Sequence, residues 1–185
     1  MIYVIDHEDS FTYNLVHLLE GFAPTYVSNY YDINWHQLEK SKIIIFSPGP
    51  GNPSHYPETQ KVYKKYKGDK KIIGICLGFQ QILYAENADI VPQKKIYHGY
   101  QSRVKALKES ALFKPNKVFL AGRYHSLKLK EPFNSLSLKI TMRCVESNVA
   151  MAIEDTINNV YGFQFHPDSF LTVDGKFLIQ KVLQF

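Results

Sequence analysis

Three runs in the first half of the chain carry almost no polar side chain on either face: Ile2-Tyr3-Val4-Ile5, Ile43-Ile44-Ile45-Phe46 and Ile72-Ile73-Gly74-Ile75. A strand of that kind has no side to show to water. It belongs in the middle of a parallel sheet with helices above and below. The intervening residues fit that arrangement. Asp9 or Ser10 is placed to cap a helix bearing Phe11, Leu15, Leu18, Leu19 and Phe22, whose spacing follows one helical face. Tyr26 and Val27 mark another short strand. Pro57 suits the first turn of a helix after the loop 47–57. Leu77 to Glu86 is helical in pattern again. Strands alternating with helices predict an α/β fold.

The second half changes character. Segments 94–105, 117–130, 136–144, 149–154 and 160–165 read as strands with few helices between them, either extending the sheet or forming a small antiparallel layer. A last helix, capped by Asp174, carries Phe177, Leu178, Val182 and Phe185. No linker, repeat or shift in composition divides the chain, so one domain over residues 1–185 is expected. With 13 Tyr, 12 Phe and one Trp, it has the rings for a real core, which excludes intrinsic disorder. Two cysteines exclude a disulfide framework. A net charge of +5 permits an acidic partner without demanding one. No apolar run approaches the roughly 18 residues of a membrane span. The start Met1-Ile2-Tyr3-Val4-Ile5-Asp6 has no basic leader, so a cytoplasmic setting with reduced thiols is expected.

The residues richest in chemistry are Gly74-Ile75-Cys76-Leu77-Gly78. A buried strand ends, a nucleophile follows, and a helix begins at once, with glycine on either side to relieve a tight turn. The corner presents the thiol at the carboxyl end of the sheet, where open α/β folds bind ligands. It also places Cys76 at a helix N-terminus, which favours an anion. The Leu77 N–H would then face a developing oxyanion. Cys144, inside Ile140-Thr141-Met142-Arg143-Cys144-Val145, has no such setting and reads as structural.

A thiol nucleophile needs a base, and the base an orienter. Of the seven histidines, His17 belongs to the first helix, while His36 and His55 lie in polar stretches. His166 closes the strand Val160-Tyr161-Gly162-Phe163-Gln164-Phe165, with Asp168 two residues on, where an extended backbone turns both side chains the same way. A carboxylate beside an imidazole fixes its tautomer and stabilises its charged form. The loop Ser47-Pro48-Gly49-Pro50-Gly51-Asn52-Pro53 is stiff, and its free N–H groups are those of Gly49, Gly51 and Asn52. It is a candidate source of a second oxyanion donor. Zinc motifs, a phosphate-binding P-loop and a dinucleotide fingerprint are all absent.

Six blocks in order carry a resemblance along essentially the whole chain. They are Asp6 with Asp9-Ser10-Phe11-Thr12-Tyr13-Asn14; Ser47-Pro48-Gly49-Pro50-Gly51; Gly74-Ile75-Cys76-Leu77-Gly78 with Gln80; His98-Gly99; Arg123-Tyr124-His125-Ser126-Leu127; and Gly162-Phe163-Gln164-Phe165-His166-Pro167. The chain resembles the class I, triad-type glutamine amidotransferases, and among them the small glutaminase subunit of anthranilate and aminodeoxychorismate synthases. The resemblance implies a flavodoxin-like, three-layer α/β fold: a mixed, mostly parallel sheet, helices on both faces, and a small antiparallel layer. It implies Cys76 as nucleophile, His166 as general base and acid, and Asp168 as orienter. It places the oxyanion hole at the Gly51 and Leu77 N–H groups, and L-glutamine against Gly49, Pro50, Gly51, Gln80, Ser126 and Leu127. The implied partner is a separate chorismate-binding large subunit. No cofactor is implied in this subunit, magnesium being expected only in the partner.

Three positions depart from the family pattern. Phe79 stands where histidine is common and Tyr100 where lysine is usual, changes read as reshaping the rim or the partner face. Asp168 stands for the usual glutamate, one methylene shorter. Three rival readings follow from the sequence: a non-catalytic subunit of the same fold, another thiol hydrolase, and a nucleic-acid binder. The last rests on Lys61, Lys64, Lys65, Lys67, Lys70 and Lys71 interleaved with Tyr63 and Tyr66, a run that more often makes a solvated helix face.

Overall fold

A computed structural model describes all of residues 1–185. In chain order the elements are β1 (Ile2–Asp6), α1 (Thr12–Glu20), β2 (Thr25–Asn29), α2 (Trp35–Lys40), β3 (Ile43–Phe46), a single 3-10 turn at Pro53–His55, α3 (Pro57–Tyr66), β4 (Lys71–Ile75) and α4 (Leu77–Ala85). There follow β5 (Ile90–Pro92), β6 (Tyr100–Ala106), β7 (Val118–Arg123), β8 (Leu127–Leu129), β9 (Lys139–Cys144), β10 (Ala150–Asp155), β11 (Val160–Phe163) and α5 (Gly175–Gln184). No helix is long and apolar enough to cross a membrane.

Nine strands form one sheet in the order β2-β1-β3-β4-β11-β10-β9-β6-β7. The pairs from β2 to β11 are all parallel, and those from β11 to β7 all antiparallel. Only β10 and β6 therefore run against the other strands. β5 and β8 pair antiparallel as a separate small layer. The fold is α/β, with a mixed and mostly parallel sheet between helices.

The apolar runs are buried on both faces because the pleat divides them between two cores. Ile2, Val4, Ile45, Ile73 and Ile75 meet Leu15, Val16 and Leu19 of α1 and Leu178, Ile179 and Val182 of α5. Tyr3, Ile5, Ile44, Phe46 and Ile72 meet Leu38 of α2, Val62, Tyr63 and Tyr66 of α3, and Ile82 and Leu83 of α4. Alternate residues facing opposite cores is what a period of two requires of a central strand.

Several local expectations shift. Helix α1 starts at Thr12 with Phe11 at its cap position and no side-chain cap. Asp9 instead closes the preceding turn, its Oδ1 accepting the Phe11 N–H at 2.8 Å, while Asp6 Oδ1 accepts the Thr12 hydroxyl at 2.8 Å. Asp174 precedes α5 without a side-chain cap bond. Of segment 94–105 only the part from Tyr100 is strand, and 117–130 breaks into β7 and β8 around residues 124–126. Helix α2, capped by the Asn34 side chain on the Gln37 N–H, buries only Leu38 and lacks a readable apolar face.

Helix α4 approaches the sheet backbone to backbone. A methyl group on Gly78 would stand 2.1 Å from the Phe46 carbonyl oxygen, and one on Gly74 would stand 2.3 Å from the Gly78 oxygen. Neither obstacle is a flexible side-chain end, so the helix itself would have to lift. Gly78→Ala is expected to destabilise the fold by about 3 kcal/mol, read as a lower urea midpoint; an unchanged midpoint would contradict the close approach.

Candidate active site

Cys76 is the hinge between β4 and α4. Its backbone sits at φ 54° and ψ −100°, a conformation that non-glycine residues rarely adopt. Such strain costs of order 1–3 kcal/mol and persists only where the surroundings impose it. Here the Cys76 N–H donates to the Phe163 carbonyl at 2.8 Å, and its carbonyl accepts the Gln80 N–H at 3.2 Å. The thiol is 6% exposed and stands at the N-terminus of α4. Both cysteines are free.

His166 follows the end of β11 and is 1% exposed. Its N–H donates to the Gly122 carbonyl at 3.0 Å, and its carbonyl accepts the Thr172 hydroxyl at 2.5 Å, so its backbone is tied to β7 and to the segment before α5. The rings of Phe11 and Tyr124, centred 5.0 and 4.9 Å away, cover the imidazole. Burial pulls its pKa down. The neighbouring Cys76 thiolate and then the Asp168 carboxylate push harder the other way, and the net result is a rise to about 10. At neutral pH His166 is therefore held as an imidazolium.

Asp168 reaches toward this imidazole without closing on it. Its Oδ2 lies 3.6 Å from His166 Nδ1, beyond hydrogen-bond length. His166 Nδ1 and both Asp168 oxygens are buried with no other partner.

A small cleft of about 140 Å³ opens in front of the thiol. Its walls are Gly49, Pro50, Gly51, Cys76, Leu77, Gln80, Tyr124, His125, Ser126 and Leu127. Every residue expected to hold substrate or an oxyanion is in that set. His166 and Asp168 lie behind the thiol rather than in the cleft wall. The volume is below the roughly 300–1,000 Å³ of drug-sized sites, which suits a small, compact ligand. Gly51 adopts φ 77°, and the N–H groups of Gly49 and Gly51 make no backbone hydrogen bond. A larger surface cleft of about 450 Å³, between Glu86–Asp89 and Lys130–Asn134, contains none of the expected residues.

Sequence reasoning missed the residues that set the cleft walls from behind. Gln80 Nε2 donates to Gln164 Oε1 at 3.1 Å, and Gln164 Nε2 donates to the Cys76 carbonyl at 3.4 Å, with the sulfur 3.9 Å away. His125 Nδ1 bonds the Leu127 carbonyl at 2.8 Å, while Nε2 accepts from Arg123 Nε at 3.1 Å. Arg123 is fully buried, its guanidinium 3.5 Å from the centre of the Tyr97 ring. The only sequence signal was membership of Gln164, Arg123 and His125 in the recurring blocks.

Of the departures, Phe79 is fully buried in the core rather than on the rim. Tyr100 is half-exposed, its ring 4.6 Å from Lys95 Nζ. The lysine run is mostly engaged within the chain. Lys61 pairs with Glu58 at 2.7 Å, Lys67 with Glu86 at 2.6 Å and Lys65 with Glu39 at 3.5 Å. Lys70 donates to the Ser41 carbonyl at 2.7 Å and Lys71 to the Val182 carbonyl at 2.8 Å. That leaves Lys64 as the one member without a partner, which is little for a phosphate-binding face.

Fold and cleft define an α/β protein with a helix-terminal thiol backed by an imidazole, and residues 3–184 match the family "Glutamine amidotransferase class-I". The chain belongs to that family and is a class I glutamine amidotransferase. It is 37% identical to anthranilate synthase component 2 of Lactococcus lactis over 183 residues, covering 97% of this chain and 92% of that protein. It is 33% identical to anthranilate synthase component 2 of Helicobacter pylori over 192 residues, covering 100% and 96%. In fold it is similar to a glutamine amidotransferase from Thermotoga maritima, with TM-score 0.76 at 14% identity, covering 99% of this chain and 96% of that one.

Two buried imidazoles make the fold acid-sensitive. His7 and His125 are both lowered from 6.5 to about 3, in each case first by desolvation, and His125 further by the Arg123 charge. Between about 6.5 and about 3 the unfolded chain binds more protons than the folded one, so stability falls as pH falls through that window. The urea midpoint is expected to drop steadily across it, and to drop less steeply in His7→Asn. Parallel profiles for the two proteins would contradict this account.

Proposed function

We propose that this chain, as one functional unit over residues 1–185, is the glutaminase subunit of a chorismate-using synthase of the anthranilate type, acting in tryptophan biosynthesis. The observation that carries the reading is Cys76, strained at the head of α4, with a raised-pKa imidazole behind it and a small polar cleft in front. The similarity to anthranilate synthase component 2 supports the choice of synthase. Delivery to an aminodeoxychorismate synthase is the second reading, and the partner used in the assay separates the two.

In this reading glutamine lies against Gly49, Pro50, Gly51, Gln80, Ser126 and Leu127. The Cys76 thiolate attacks the side-chain amide carbon, and the carbonyl π electrons move to oxygen. The N–H groups of Gly51 and Leu77 hold that oxyanion. Imidazolium His166 gives its proton to the departing nitrogen, the C–N bond breaks, and ammonia leaves behind a glutamyl thioester. Neutral His166 then takes a proton from water, which attacks the thioester and releases glutamate and the thiolate. Asp168 holds the imidazole in register through both steps. Thiol and imidazole supply all the chemistry, so no cofactor enters in this subunit. Ammonia must stay unprotonated to react further, which favours direct passage to a chorismate-binding partner subunit.

With the large component of an anthranilate synthase added, wild type is expected to release glutamate from glutamine. Cys76→Ala is expected to lose at least about a thousandfold in kcat. A glutamine-mimicking diazoketone should leave one adduct on wild type and none on Cys76→Ser, by intact mass. Full activity in Cys76→Ala would overturn the reading. So would a wild type silent with either synthase partner, in favour of a non-catalytic subunit.

The open gap at Asp168 gives a second expectation. Asp168→Glu lengthens the side chain toward His166 Nδ1, and kcat should rise about threefold with KM unchanged. A fall in kcat would show that the orienter acts at the longer distance.

A further inference from the structure

The proposed oxyanion loop has little to hold it in place. Proline occupies residues 48, 50 and 53 and supplies no N–H, and the Gly49 and Gly51 N–H groups are unbonded in the backbone. The loop enters on one strand bond, Ser47 N–H to the Ile5 carbonyl at 3.1 Å. Beyond that, its geometry depends on side chains beneath it.

Those side chains converge on His7, the residue after β1, which is fully buried. Ser47 uses its single hydroxyl proton on the Pro48 carbonyl at 2.6 Å. Its oxygen can then only accept, and it takes the His7 backbone N–H at 2.9 Å and Nδ1 at 3.2 Å. This fixes the tautomer: Nδ1 carries the proton. Nε2 is therefore bare and accepts the Thr59 hydroxyl of α3 at 2.9 Å. Burial keeps the ring neutral, its pKa lowered to about 3, so it moves no proton at working pH.

The same residue also bounds the loop from below, through its Cβ. A Cβ on Gly49 would lie 2.5 Å from His7 Cβ and 2.5 Å from Leu77 Cδ2. Gly49 is thus gripped between His7 and the first residue of α4. Tyr56 packs edge-on to the imidazole at 4.9 Å, and its hydroxyl donates to the Pro50 carbonyl at 2.7 Å. Ser47, Gly49 and Pro50 are each held by His7 or by the ring it packs against.

We propose that His7 is a positioning residue for amide hydrolysis, fixing the 47–51 loop through Ser47 so that the Gly51 N–H stands opposite that of Leu77. The inference rests on the glutaminase reading above. It differs from a general packing role, because the Ser47 side of the ring matters to catalysis and the Thr59 side only to anchoring.

Two conservative variants separate those sides. In His7→Asn the amide NH₂ takes the place of Nδ1 and keeps the bond to Ser47 while giving up Thr59. In His7→Gln the longer amide reaches Thr59 in place of Nε2 and gives up Ser47. Both are assayed as full chains with the synthase subunit, for kcat, KM and thermal midpoint. His7→Asn is expected to keep kcat within about threefold, and His7→Gln to lose about tenfold or more in kcat with KM for glutamine unchanged, an oxyanion-stabilisation signature. Ser47→Ala should repeat the His7→Gln loss, and it decides the matter if His7→Gln fails to fold. Equal kcat in both His7 variants, a loss confined to KM, or an unaffected Ser47→Ala would overturn the proposal while leaving the glutaminase reading intact. A wild type without glutaminase activity overturns both.

Discussion

Backbone lies on backbone where α4 crosses the ends of β3 and β4, with no side chain between them. The Gly78 position is filled by the Phe46 carbonyl and the Gly74 position by Gly78 itself. That contact leaves the chain no gentle way to pass from strand to helix, and Cys76 absorbs the turn in its own φ and ψ. Everything near the thiol follows from it. Leu77, at the head of α4, reaches across to Gly49, and Gln80 returns beneath to Gln164. A looser corner would keep the same residues and lose their arrangement.

Charge at the site is managed by burial as much as by pairing. His166 is covered by Phe11 and Tyr124, so water does little to screen it from the groups around it. His125 and His7 are equally buried but face a cation and two hydroxyls respectively, and both stay neutral. Three imidazoles of one chain thus do three different things. One is held charged, one braces the wall at Leu127, and one sits under the loop.

Much of this was legible in the residues, for identifiable reasons. Residues 2–5, 43–46 and 72–75, which make up most of β1, β3 and β4, carry almost no polar side chain, as central parallel strands do. The Cys76 corner is spelled out by two glycines, and the His166 block is contiguous. What was not legible depends on distant residues meeting. His7, Ser47 and Thr59 share no local pattern and come together only because β1 and β3 are neighbours and α3 packs over them. Ile96 and Tyr97 look like strand residues, yet they lie in a loop, where Tyr97 packs over the Arg123 guanidinium. Phe79 looked like rim because its family counterpart is polar, and only the packing of α4 shows that it faces Gly162 in the core.

The cleft has its two walls on different kinds of sheet. Cys76, the 47–51 loop and Gln80 hang from parallel strands locked between two hydrophobic cores, whereas Tyr124, His125 and Ser126 join β7, at the sheet's free antiparallel edge, to β8, which Leu127 opens in a two-stranded ribbon. An edge strand is hydrogen-bonded along one side only, whereas a central strand is held along both. The thiol and the wall facing it are thereby mounted on supports of different kinds. A substitution on the free edge can therefore shift the far wall of the cleft without disturbing the doubly held strand that carries Cys76.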